Sequence, residues 1–106
     1  MSNKEDIRLT QPTLKVLRCF LEKPRQGQSG AEISKAAKVG AGTLYPFLAR
    51  LETAGWVTSE WEAVEPRDAG RPRQRFYRLT GIGYRNAYAA LKDLQFTPSG
   101  DFAWTL

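Results

Sequence analysis

Histidine is missing from this chain of 106 residues, and cysteine occurs once, as Cys19. Without imidazole and with one thiol, a zinc site would have to be built mostly from carboxylates, a poor donor set for that metal. Ser–His and Cys–His nucleophile pairs are excluded outright. A lone cysteine cannot close an internal disulfide, which fits a reducing compartment. A carboxylate or lysine mechanism stays formally open, but the chain is not expected to be an enzyme or to hold a metal or cofactor. No apolar run approaches the roughly 18 residues of a membrane span. The opening "MSNKEDIRLT" is polar and mixed in charge, without the apolar stretch of a secretory signal. The expected location is the cytoplasm, with no membrane partner.

What is abundant is positive charge. Sixteen Lys and Arg face eleven Asp and Glu, a net charge of +5, and the isoelectric point is near 9.7. Such a balance points to a polyanionic partner when the charge is clustered. It is clustered: "RDAGRPRQRFYRL" places Arg67, Arg71, Arg73, Arg75 and Arg78 in one short stretch. A hydrophobic share of 42% is enough for a folded core, and the length suits one domain.

The pattern of apolar residues lays out the elements. Leu14, Leu17, Phe20 and Leu21 recur at helical spacing from Gln11 to Lys23, with Thr10 as cap and Pro12 in the first turn. Cys19 falls within that pattern and reads as a buried thiol. Ser29 and Glu32 have the spacing of a capping box opening a short second helix. Leu44, Phe47, Leu48 and Leu51 give a third helix one apolar face, with Gly55 as its stop. "WVTSEWEAV" and "RFYRL" read as strands and "EPRDAGRPRQ" as the loop between them. Thr80 to Leu94 forms a last helix with Tyr84, Ala87, Tyr88, Leu91 and Leu94 on one stripe. The expected fold is mostly α with a small β-hairpin, in the order of a winged helix-turn-helix. Its expected parts are a tail (1–10), the winged domain (11–80), a terminal helix (81–95) and a short tail (96–106).

The third helix and the hairpin carry a resemblance. "GTLYPFLARLETAGWV" is similar to the core motif of the PadR family of bacterial transcriptional regulators, and "GRPRQRFYRLT" resembles that family's wing and following strand. The resemblance runs from about Leu14 to Leu94. It implies a DNA-binding repressor, homodimeric through its first and last helices, whose third helix enters the major groove. Two departures stand out. Gly81 and Ile82 occupy positions where the family usually has Pro and Glu, implying a looser entry into the last helix. Gly40 and Ala41 replace small hydroxyl residues that would supply a cap.

Chemistry at the expected DNA surface follows from residue types. On the third helix, Gly42, Thr43, Tyr45, Pro46 and Arg50 lie away from the apolar face. A helix start offers N–H groups to phosphate, and the Thr and Tyr hydroxyls can reach backbone or base edges. The bland alternative is a solvated face with a routine Thr cap. Pro46 costs little if Thr43 caps the helix, and distorts the first turns if the helix starts near Gly40. On the wing, Arg67, Arg71, Arg73 and Arg75 would contact phosphates or a narrow minor groove. Only Glu65 and Asp68 lie close in sequence to offset them, and the bland alternative is a solvated charge run. Arg75 and Arg78 fall on opposite strand faces. Ser29, at the start of the second helix, completes the expected DNA-facing set. "VGAG" lacks the further residues of a nucleotide loop and reads as a turn.

Leu14, Leu17, Tyr84, Tyr88, Leu91 and Leu94 are the expected dimer interface, giving two recognition helices about 34 Å apart on a near-palindromic site. Packing of the same stripe within one chain is the competing account. Tyr88, Phe96 and Trp104 are candidates to line a site for a small aromatic effector, although such a stripe is also ordinary core. The expected partners are therefore double-stranded DNA and a second copy. The rival function is a winged-helix protein-interaction module whose basic hairpin grips an acidic partner.

Overall fold

Thr10 stops the N-terminal segment and starts the first helix, α1 (Gln11–Glu22), in a reciprocal cap. Its backbone N–H donates to Thr13 Oγ1 at 2.7 Å, and Pro12 sits where a missing N–H costs nothing. The computed structural model describes residue 7 and residues 9–93. Leu14, Val16, Leu17, Phe20 and Leu21 of α1 are buried, and Cys19 with them. Burial pushes the Cys19 thiol pKa up.

After α1 the chain lays down a two-residue strand, β1 (Gln28–Ser29), that sequence patterning does not announce. Gln28 is buried and its side-chain amide donates to the Cys19 carbonyl at 3.3 Å, tying β1 to α1. Ser29 caps α2 (Gly30–Ala37), accepting the Glu32 N–H at 3.1 Å while Glu32 takes the Ser29 N–H at 2.9 Å. Lys38, left-handed at φ 58°, ends it. Next comes α3 (Ala41–Thr53), whose Leu44, Phe47, Leu48 and Leu51 are buried as their spacing predicts. Gly55 at φ +84° turns the chain.

The wing consists of β2 (Val57–Trp61), a one-turn helix α4 (Pro66–Ala69) where a loop is expected, and β3 (Arg75–Leu79). The hairpin is antiparallel, with Val57 opposite Leu79 and Trp61 opposite Arg75. β1 pairs with the far edge of β3, so the sheet has three strands in the order β1-β3-β2. The architecture is a winged helix-turn-helix. α5 (Gly81–Asp93) closes it, sending Ala87 and Leu91 into the same core as α1 and α3.

Two expectations need correction here. The entry to α5 is tight, not loose. Thr80 donates its N–H to the Trp56 carbonyl at 2.9 Å, donates its hydroxyl to the Gly55 carbonyl at 2.7 Å and accepts the Gly83 N–H at 2.9 Å. A Cβ at Gly83 would run into the Trp56 carbonyl, with the Trp56 Cα at 2.8 Å. Gly81 has open space where a Cβ would stand, whereas Gly83, two residues on, is the glycine that lets α5 approach this backbone so closely. Secondly, Leu14, Leu17 and Leu91 are buried within a single chain, so they offer no face to a second copy. Tyr84 and Ile82 remain exposed on α5, and Tyr84 stacks on the half-buried Tyr88 with ring centroids 6.4 Å apart. Leu94, Phe96 and Trp104 lie outside the described residues.

Candidate nucleic-acid interface

α3 begins at Ala41 with Gly40 as cap, and no side chain completes that cap. The Ala41 and Gly42 N–H groups have no partner among the described residues, at positions open to solvent. Of the two placements for Pro46, the helix starting near Gly40 is the one found. Pro46 is inside α3, so the Gly42 carbonyl receives no bond four residues on. Gly42, Thr43, Tyr45, Pro46 and Arg50 are all exposed.

Tyr45 crosses from α3 to the start of α2. Its ring lies so close over Gly30 that a Cβ there would stand 2.6 Å from Cε1 and 2.7 Å from Cζ. Gly30 is therefore a seat for the Tyr45 ring, and the side chain stays 46% exposed. Ser29, expected at the DNA surface, is buried, and its hydroxyl oxygen is committed to the α2 cap.

On the wing, folding supplies carboxylates that lie far off in sequence. Arg71 donates to both oxygens of Glu62, at 2.7 and 2.8 Å. The same carboxylate accepts the Gln74 N–H at 3.1 Å. These bonds, the Arg71 pair first, hold the Glu62 pKa down at about 2, and the Glu62 carboxylate in turn raises that of Arg71. Arg73 donates to the Val64 carbonyl at 3.0 Å and stands 3.5 Å from Glu65. Arg75 donates to Ser59 Oγ at 2.8 Å and to Glu52 at 3.3 Å, and Ser59 donates to the same Glu52 oxygen at 2.7 Å. Its guanidinium also sits 5.4 Å from the centroid of the Trp61 ring. The wing is thus not an uncompensated cationic finger, which corrects the sequence expectation. Of the five arginines in the segment, Arg67 and Arg78 stand outside these ion pairs. The arginine side chains of all three pairs are exposed, Glu62 being the most enclosed of the carboxylates, so each pair holds a side chain's direction more than it stabilises the fold.

The two halves nevertheless meet. Ser29, Gly30 and Ala31 at the start of α2, Tyr45 of α3, and Trp61, Arg73, Gln74, Arg75 and Tyr77 of the wing line one groove of about 390 Å³. A broader hollow of about 1000 Å³ adjoins it across Trp61, walled by Pro66, Arg67, Arg71, Pro72 and Arg73. Arg78 turns to the other face of the sheet, beside Gly27, Thr58, Glu60 and Phe76. The opposite facing of Arg75 and Arg78 is therefore as strand alternation requires. Sequence reading missed Gly30, Glu52, Glu62 and Trp61. Alternation along β2 puts Trp61 on the same face as Val57 and Ser59, but not how far past the core it projects.

Residues 21–95 match the transcriptional regulator PadR-like family. No curated protein matches the chain by sequence. Among solved structures, reduced AbfR bound to DNA is 25% identical with a TM-score of 0.64, covering 94% of this chain and 64% of that one. Disulfide-formed AbfR is 25% identical with a TM-score of 0.65, over 91% of this chain and 64% of its own; AbfR comes from Staphylococcus epidermidis. S. aureus MepR in a DNA-binding conformation shares the fold at 19% identity and a TM-score of 0.64, over 86% of this chain and 64% of that one. This chain thus spans a little under two thirds of the length of these structures. No helix among the described residues is long and apolar enough to cross a membrane.

Proposed function

We propose, from the premise that this chain belongs to the transcriptional regulator PadR-like family, that it regulates transcription by binding duplex DNA, with α3 in the major groove and the wing along the flanking backbone. The observation that carries this reading is the groove uniting Tyr45 and the α2 start with Arg73 and Arg75. On the α3 side, the Ala41 and Gly42 N–H groups face solvent at the helix start, suited to a phosphate. Thr43, Tyr45 and Arg50 supply donors for backbone and base edges. On the other side, arginines already oriented by carboxylates exchange those partners for phosphates, or reach a narrow minor groove.

The regulator acts as a homodimeric repressor on a near-palindromic site, with two α3 helices about 34 Å apart. Tyr84, exposed on α5, and the half-buried Tyr88 stacked on it one turn later form its contact. A small aromatic effector would meet Tyr88 from the same side. The disulfide named for AbfR has no counterpart in this reading, because Cys19 is buried and burial raises its thiol pKa.

Selecting bound fragments from a random duplex library tests the reading. A single enriched site with twofold symmetry and half-sites one helical turn apart supports it. Retention of random duplexes without enrichment, at any salt concentration, counts against sequence-specific regulation.

A further inference from the structure

We propose that Trp61 is a DNA-contact residue that packs its indole face on the deoxyribose of the backbone strand crossing the groove between α3 and the wing. The proposal rests on the DNA reading above and assigns a contact that none of the polar groups there supplies. Trp61 is 58% exposed, more than any other large hydrophobic side chain among the described residues. An exposed indole on a small soluble domain costs solubility and, on this strand, contributes nothing to the core. It stands at the shared wall of the two hollows, so a strand lying in either touches it.

Its surroundings select the occupant. Arg71 and Arg73 flank one side, and Arg75 covers a ring face at 5.4 Å while tethered to Ser59 and Glu52. Guanidinium groups around an apolar plate, once their carboxylate partners give way to phosphate, match a chain that alternates phosphate with sugar, charge beside hydrocarbon. An acidic peptide would satisfy the cations but leaves the plate without a regular apolar partner. A sugar contact carries no sequence information, so Trp61 adds affinity equally at every duplex. It also releases no counterion, unlike an arginine–phosphate contact.

The test compares wild type, Trp61→Phe and Trp61→Ala on a selected duplex and on a random duplex, across a salt series. Trp61→Ala is expected to weaken both duplexes by about tenfold, at the low end for an aromatic stacked on a nucleotide. The slope of log affinity against log salt stays at its wild-type value, and Trp61→Phe recovers most of the loss. Equal affinity in Trp61→Ala and wild type overturns the proposal while leaving the DNA reading intact. So does a loss confined to the selected duplex, which would make the contact one with a base. Failure of the wild-type protein to bind any duplex defeats the DNA reading itself. Thermal melts of each variant distinguish a weakened interface from an unfolded protein.

Discussion

The helix-turn-helix body and the wing are held together by different physics. In the body, Leu17, Phe20, Ile33, Leu44, Phe47, Leu48 and Leu51 are essentially without solvent exposure, and three helices share them. In the wing beyond Ser59, no residue from Glu60 to Phe76 is buried, and α4 has no buried residue at all. There, order comes from the ladder of β2 and β3, a left-handed Gly70 at φ 71°, and solvated ion pairs. Burial makes one region stable. The other is kept in shape by polar contacts at its surface.

That contrast can be broken from the body outward. Leu48→Ala should lower unfolding free energy by about 2–5 kcal/mol, seen as a lower urea midpoint, because it empties a site wholly inside the core. A loss under about 1 kcal/mol would mean the α3 packing is loose. Gly83→Ala sits between the regions and should cost about 1–3 kcal/mol, since the new methyl meets the Trp56 backbone rather than a side chain that can swing aside. For a domain of this size that is a melting point lower by at least about 4 °C.

Substitution of both Arg71 and Arg73 by Ala should leave the urea midpoint nearly unchanged, because surface ion pairs contribute little to folding stability. The same double variant should bind duplexes more weakly and flatten the salt dependence by about 0.9 log units for each phosphate that is no longer neutralised. Unchanged binding would remove these two arginines from the mechanism.

The smallest effect is in acid. Glu62, held at about 2 rather than 4.5, stabilises the wing tip fully above pH 4.5 and loses that contribution as pH falls toward 2. A carboxyl titration followed by NMR should place Glu62 near 2, with the Gln74 amide signal moving alongside it. An inflection near 4.5 would show that the Arg71 pair does not persist in solution.

The same divide governs what could be read from residues alone. The body was legible because burial writes itself as spacing: Leu44, Phe47, Leu48 and Leu51, the Thr10 cap and the Ser29–Glu32 box all stand as their pattern requires. The RFYRL strand is also found at the expected residues. Long-range polar pairing leaves no such trace. Nothing local joins Glu52 to Arg75 or Glu62 to Arg71, so the wing read as more cationic than it is. β1 escaped notice because two residues carry no period. The α5 stripe was legible as apolar, but pattern could not say whose core it enters; Ala87 and Leu91 fill their own.

The wing tip also has a boundary of its own. The Glu62 N–H meets the Gln74 carbonyl at 2.8 Å, closing the ladder just outside the Trp61–Arg75 pair. Everything between those two residues hangs from a completed clasp and shares no buried side chain with the helices. Insertions, deletions or wholesale exchange of that tip would leave the scaffold beneath undisturbed. The tip is thus one short cassette that can be exchanged without touching the helices.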